Sequence, residues 1–100
     1  MKLERDTERK LIAKAYTRDG LVLKLPANQY KGIPDRIVLM PKGQIAFVEL
    51  KRPEGGSLSE LQKYWIKRLQ ALGFRACVVK NETEIETLLR DMMEDENGIE

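Results

Sequence analysis

Residues 32–53 read GIPDRIVLMPKGQIAFVELKRP, and how this stretch is read decides the fold. RIVLM and QIAFVEL are short apolar runs rich in β-branched residues, and PKGQ between them carries turn residues. The pattern predicts strands over 35–40 and 45–50, joined through 41–44 as a hairpin. Such a hairpin sets 39 roughly opposite 46, and 35 or 36 roughly opposite 49 or 50. Three charges stand where this core is being built: Asp35 opens the first strand, and Glu49 and Lys51 close the second. Side chains alternate along a strand, so Ile45, Phe47, Glu49 and Lys51 share a face, with Glu49 and Lys51 about 7 Å apart at Cα. Asp35 and Glu49 are then neighbours at the open end of the hairpin.

Working outward, residues 4–18 have helical spacing, with Leu11, Ile12, Ala15 and Tyr16 predicted inward. Asp19 and Gly20 stop that helix, LVLKL (21–25) is a strand, and 26–34 is a loop punctuated by Pro and Gly. After KRPEGGS (51–57), Ser57 to Glu60 fits a capping box that opens a helix to about Leu72. Its expected stripe is Leu58, Leu61, Trp65, Leu69 and Leu72, with Gly73 as the stop. FRACVV (74–79) is a strand. Asn81 or Thr83 caps a last helix through about Met93, with Ile85, Leu88, Leu89 and Met92 inward. The predicted order is αβββαβα, an α/β chain with a mixed sheet in α+β style. Residues 1–94 read as one domain, and 95–100 as an acidic, fraying tail.

One hundred residues suffice for one modest core. Net charge is +2, but residues 91–100 hold five acids and no base, which leaves +7 on residues 1–90 and suits a polyanionic partner. No apolar run approaches a membrane span, and the start lacks the apolar core of a signal peptide. With a single cysteine, Cys77, the expected setting is reducing and cytoplasmic. The absence of histidine excludes Ser-His-Asp and Cys-His catalysis and histidine-based zinc sites; one cysteine excludes a thiolate zinc site. Carboxylate, lysine and hydroxyl chemistry remains.

Two neighbouring carboxylates repel, so one must protonate or a cation must join them. A hard divalent ion suits oxygen donors, and Mg²⁺ needs one or two carboxylates plus waters. The Leu50 backbone carbonyl is a candidate third donor, and Lys51 could position water or offset developing charge. Equally, Asp35 could cap a turn while Glu49 and Lys51 form a solvated strand end; spacing alone leaves both open. Glu8 falls near the centre of the first helix's expected inward face, and Glu4 about 50° away. Such an acid needs a partner, although an acid in a first helical turn also suits the helix dipole. Gln62 borders the second helix's stripe, as a site residue or as a boundary polar residue.

GIPDRIVL, FVELKRP, SLSELQ and LGFRACVV together resemble the VRR-NUC family, the virus-type replication-repair nuclease branch of the PD-(D/E)xK superfamily. The resemblance spans about residues 4–80. It implies a restriction-endonuclease-like fold with an αβββαβ core, here followed by a C-terminal helix. It also implies a Mg²⁺-dependent deoxyribonuclease, with Mn²⁺ as a substitute, in which Asp35 and Glu49 hold the metal; the family's helix-borne glutamate falls on Glu8, and the E-x-x-x-E of the first helix leaves Glu4 open as well. Lys51 and Gln62 complete the expected constellation. Lys24, Lys31, Arg36, Lys42 and Arg52 lie on segments bordering the site, as contacts to DNA phosphates or as solvated surface charges. Stand-alone relatives resemble phage proteins, which implies a homodimer acting on branched DNA in the manner of a Holliday junction resolvase. Tyr64, Trp65 and the helix segment at Met92 and Met93 are candidate dimer contacts or, equally, core residues. The alternatives are a catalytically idle nucleic-acid-binding module and a structural or interaction protein whose acids are surface decoration.

Overall fold

The computed structural model describes residues 4–26 and 29–94. Helix α1 (Glu4–Tyr16) leads to strand β1 (Leu21–Lys24), then β2 (Arg36–Met40) and β3 (Gln44–Leu50), joined by a single 3₁₀ turn at Pro41–Gly43. Helix α2 (Glu60–Ala71), strand β4 (Arg75–Val79) and helix α3 (Glu82–Glu94) complete the chain. The four strands form one mixed sheet in the order β1-β2-β3-β4, matching the expected fold class. Neighbours among β1 to β3 are antiparallel. β4 lies parallel to β3 because α2 carries the chain back across one face.

The sheet is covered on both sides, which is why β3 reads as an unbroken apolar run. On one side α1 and α3 pack over Val38, Met40, Ala46, Val48 and Leu50, and this is the larger core. On the other, Ile66 and Leu69 of α2 pack over Phe47, Ala76 and Val78. Leu11, Ile85, Leu89 and Met92 are among the largest fully enclosed side chains. α3 therefore buries the stripe its sequence predicts, and Asn81 is its cap, since its Oδ1 accepts from the Glu84 amide at 2.8 Å.

The other two helices are rotated from expectation. α1 buries Thr7, Leu11 and Ala15, while Ile12 and Tyr16 face outward. Ala15 lets the helix lie close to Gly20, where an added Cβ would collide with the Met40 sulfur and the Leu39 carbonyl. α2 buries Ile66 and Leu69, and leaves Leu61 and Leu72 more than two-fifths exposed. Its capping box is Ser59 with Gln62 rather than Ser57 with Glu60. A helix touching a sheet alone on its side needs only a narrow apolar line, so leucines beyond that line stay at the surface.

The hairpin register also differs by one step. Leu39 pairs with Ile45 and Val38 with Ala46. Lys42 and Gly43 adopt positive φ (67° and 74°), which closes the turn in three residues and extends β3 back to Gln44. The last pair of the ladder, Arg36 with Val48, leaves Asp35 across from Glu49 one step further on. The expected juxtaposition of the acids follows from the observed register.

Candidate active site

Strand alternation aims Asp35 and Glu49 toward the α2 side, at the end of the hairpin away from its turn. The Asp35 backbone is fixed there, its carbonyl accepting from the Leu25 amide at 2.8 Å. The Glu49 side chain is 14% exposed. Burial pushes its carboxyl pKa up; Lys51 opposes this, and the charges of Asp35 and Glu4 push it up further. Lys51 Nζ lies 3.7 Å from Glu49 Oε2, and its amide donates to the Val79 carbonyl, extending the sheet by one residue.

Gln62 reaches the same oxygen. Its Oε1 accepts from the Ser59 amide at 2.9 Å, so the capping box fixes the amide plane and turns Nε2 toward Glu49 Oε2 at 3.3 Å. Measured from the observed line of Ile66 and Leu69, Gln62 lies about 10° from the centre of the buried face at 100° per residue. The sequence stripe placed it at the border because Leu61 and Leu72 biased the axis. The side chain that looked marginal is the one facing the sheet.

Glu8 has another partner. Its Oε2 accepts from Arg36 Nε at 2.6 Å, and Arg36 Nη1 donates to Asp35 Oδ1 at 2.5 Å. Arg36 is 8% exposed, on the opposite face of β2 from Asp35. Burial alone would lower its pKa, but the two carboxylates outweigh that and hold the guanidinium charged. From the observed α1 line, Glu4 lies about 20° from centre and Glu8 about 60°. Glu4 is the helix acid whose charge acts on Glu49, while Glu8 anchors Arg36.

Among the described residues no group of three or more His, Cys, Asp or Glu side chains is gathered tightly enough to cage a metal ion. The donors present are hard oxygens in a pair, with a lysine and an amide beside them. That set fits Mg²⁺ or Mn²⁺, which retain waters and need few carboxylates, and does not suit zinc.

The family profile of the VRR-NUC domain matches residues 5–83. The chain belongs to the VRR-NUC family. A curated relative from Acyrthosiphon pisum secondary endosymbiont phage 1, named "Putative nuclease p44", is 33% identical over 79 residues, covering 79% of this chain and 84% of the relative. A solved VRR-NUC domain structure superposes with a TM-score of 0.78 at 28% identity, over 87% of this chain and 94% of the other. Membership of this family supports a nuclease.

Two grooves flank the VRR-NUC site, and they sort the expected phosphate-binding residues. One of about 590 Å³ is lined by Lys24, Lys31, Tyr30 and Asp35. The other, about 510 Å³, is lined by Lys51, Arg52, Arg5 and Glu4. Lys24 and Lys31 thus share a groove with Asp35, and Arg52 shares one with Lys51 and with Arg5, which helical spacing alone did not single out. Arg36 does not serve as a free cation, being buried between Glu8 and Asp35. Lys42 sits on the hairpin turn at the far end of the strands from Asp35 and Glu49. Met92 is 1% exposed in the core, so it is no dimer contact in this fold; Met93 and Tyr64 are exposed. No described helix is long and apolar enough to cross a membrane. The expected acidic tail, 95–100, lies outside the described residues.

Proposed function

We propose that this VRR-NUC protein is a divalent-metal-dependent deoxyribonuclease that hydrolyses phosphodiester bonds, with a preference for branched DNA. The observation that carries the reading is Glu49: a largely buried carboxylate, pushed toward neutrality by burial and by Asp35, yet placed beside a lysine at a strand end. A fold retains such a group at a cost, and functional sites are where that cost is tolerated. Asp35 and Glu49 would hold the cation, with the Leu50 carbonyl as a further donor; Mg²⁺, or Mn²⁺ in its place, supplies Lewis-acid chemistry to the scissile phosphate when bound.

The chain's own groups have distinct tasks in this reading. Arg36 fixes Asp35 through Oδ1, and the second carboxylate oxygen takes no part in that contact. Gln62, locked by the α2 cap, holds Glu49 through Oε2. Lys51 stands where it can orient the attacking water and offset charge developing on phosphate oxygens. Lys24, Lys31, Arg5 and Arg52 hold the phosphodiester backbone on either side, so affinity falls with salt. One such site cuts one strand; paired cuts at a junction call for a twofold dimer.

The test is cleavage of labelled duplex, single-stranded, flap and four-way-junction DNA in Mg²⁺ or Mn²⁺, by wild type and Lys51→Ala. Cleavage that is lost in Lys51→Ala and in EDTA supports the reading. DNA binding without cleavage by the wild type in either ion supports an idle binding module instead. Sedimentation of a monomer with full junction-cutting activity removes the dimer.

A further inference from the structure

α2 covers only part of its side of the sheet. Val22, Val38 and Ala46 belong to the core under α1 and α3. Strand alternation therefore turns Leu21, Leu23, Ile37, Leu39, Ile45 and Phe47 to the α2 side. The register sets them in two rows, Leu21–Leu39–Ile45 and Leu23–Ile37–Phe47. α2 packs over Phe47 and β4, while Leu21, Leu23 and Ile45 stay exposed. Every position in both rows is apolar. An antiparallel face left to water alternates with polar residues; a sheet covered on both sides does not. β1 and β2 are thus written as covered strands, on a side that one copy of the chain leaves open.

The helix beside this floor has a matching flank. Leu61 and Leu72 lie about 110° and 90° round α2 from the Ile66–Leu69 line, both in the same direction. That flank faces β2. An added Cβ on Gly32 would lie 2.8 Å from Leu61 Cγ, and the chain after Gly32 runs into β2. Floor and flank form one apolar step. At roughly 200 Å² for a large apolar side chain, with about half of it open on Leu21, Leu23, Ile45, Leu61 and Leu72, the step offers on the order of 500 Å². A standard protein pair buries about 800 Å² on each partner, somewhat over half of it apolar. The step therefore supplies the apolar share of one interface. Its floor accepts a helix and its wall is a helix flank, so a second step of the same kind fits it. We infer that two copies of the chain meet here, the α2 flank of each lying on the bare β1–β2 floor of the other. Such a contact is isologous and closes as a twofold pair. Asp35 and Glu49 stand at the end of the same face, so each site borders the contact. The pairing rests on surface chemistry alone; its use for paired cuts rests on the nuclease reading.

Sedimentation of the full chain at micromolar concentration tests it. Wild type is expected as a dimer. Leu23→Lys on the floor and Leu61→Glu on the flank should each weaken pairing by at least about 100-fold, because twofold symmetry enters each change twice. Both side chains are 45% exposed in one copy, so the fold tolerates the charge. Leu21→Lys and Leu72→Glu repeat the test at neighbouring positions. Mixing the Leu23→Lys and Leu61→Glu chains should restore a dimer, since one contact then joins lysine to glutamate and the other keeps both leucines. Ile12→Lys, equally exposed on α1 across the sheet, should leave the dimer intact. A monomeric wild type, a dimer that survives both floor changes, a mixture that stays monomeric, or equal disruption by Ile12→Lys overturns the pairing. Cleavage of single-stranded DNA in Mn²⁺ separates the two readings. A monomeric wild type that cuts removes the pairing and keeps the nuclease. A dimer that never cuts, yet dissociates in Leu23→Lys, keeps the pairing and removes the nuclease.

Discussion

Two groups of charges tie α1 to the rest of the molecule, and they behave differently. On the outer surface, Lys14 meets Glu86 at 2.6 Å and Glu82 at 3.1 Å, and Arg18 meets Glu86 at 2.7 Å. At the sheet's open end, Arg36 joins Glu8 to Asp35, while Lys51 and Gln62 converge on Glu49. In the first group the contacts satisfy the charges: Lys14 lowers the pKa of both Glu82 and Glu86. In the second, burial outweighs Lys51 and the Glu49 pKa is raised. Water explains the difference. Exposed pairs lose little hydration and gain little, whereas a carboxylate turned into a sheet end loses hydration that one lysine does not replace. The outer group is a seam between helices; the inner one leaves Glu49 under-compensated, and in the proposed function a divalent cation would supply the missing charge.

Changes to each group break or sharpen that contrast, beginning with the largest expected effect. Lys51→Ala should lower DNA cleavage by at least about 100-fold, the range of a positioned acid–base or charge-stabilising group. Arg36→Gln leaves Glu8 and Asp35 without their shared cation. Discounted for the partial exposure of both acids, the loss is about 2 kcal/mol of stability by chemical denaturation. Mn²⁺ affinity should fall with it, because Asp35 is no longer held. An unchanged denaturation midpoint would show that the Arg36 pairs are as weak as surface pairs.

The pH dependence of Glu49 is opposite in sign to that of an ordinary paired carboxylate. Its folded pKa is raised above the 4.5 of a free carboxyl, so the folded state holds its proton more tightly than the unfolded state does. At neutral pH the ionised group therefore costs stability. That cost fades as pH falls through the raised value toward 4.5. In EDTA at pH 7, Glu49→Gln should melt higher than wild type, with the advantage disappearing in acid. A lower melting temperature for Glu49→Gln at neutral pH would refute the burial account. Lys51→Met, which removes the neighbour opposing the shift, should move the acid limb of Mn²⁺ binding to higher pH. Smallest of all, Glu86→Gln in the outer seam should shift the melting temperature by no more than about 2 °C, and less in high salt.

Burial and register also explain which residues were legible in the sequence. The proximity of Asp35, Glu49 and Lys51 was legible because strand alternation has a period of two and a tight turn fixes which residues can face each other. A one-step error in the turn still left the two acids adjacent. α3 was read correctly at every buried position because a wide apolar face admits one orientation. α1 and α2 were misread in rotation because each carries more large apolar residues than its narrow contact uses. The same rotation displaced Gln62 from the centre of its face and drew attention to Glu8 ahead of Glu4. The enclosure of Arg36 had no local signal, since R after P-D looks like any strand-opening charge until α1 is laid across it.

By itself, then, the sequence determined the order of elements, the open-ended hairpin and the acid–acid–lysine set, because these depend on backbone periodicity and turn chemistry within a few residues. The tertiary structure decided which helix acid meets Glu49, that Arg36 is an internal brace rather than a phosphate contact, and that Tyr30 and Trp65 meet beside Asp35. Those outcomes depend on how helices rotate and where loops are pinned against the sheet. Packing between residues distant in the chain sets that rotation, and no local pattern encodes it.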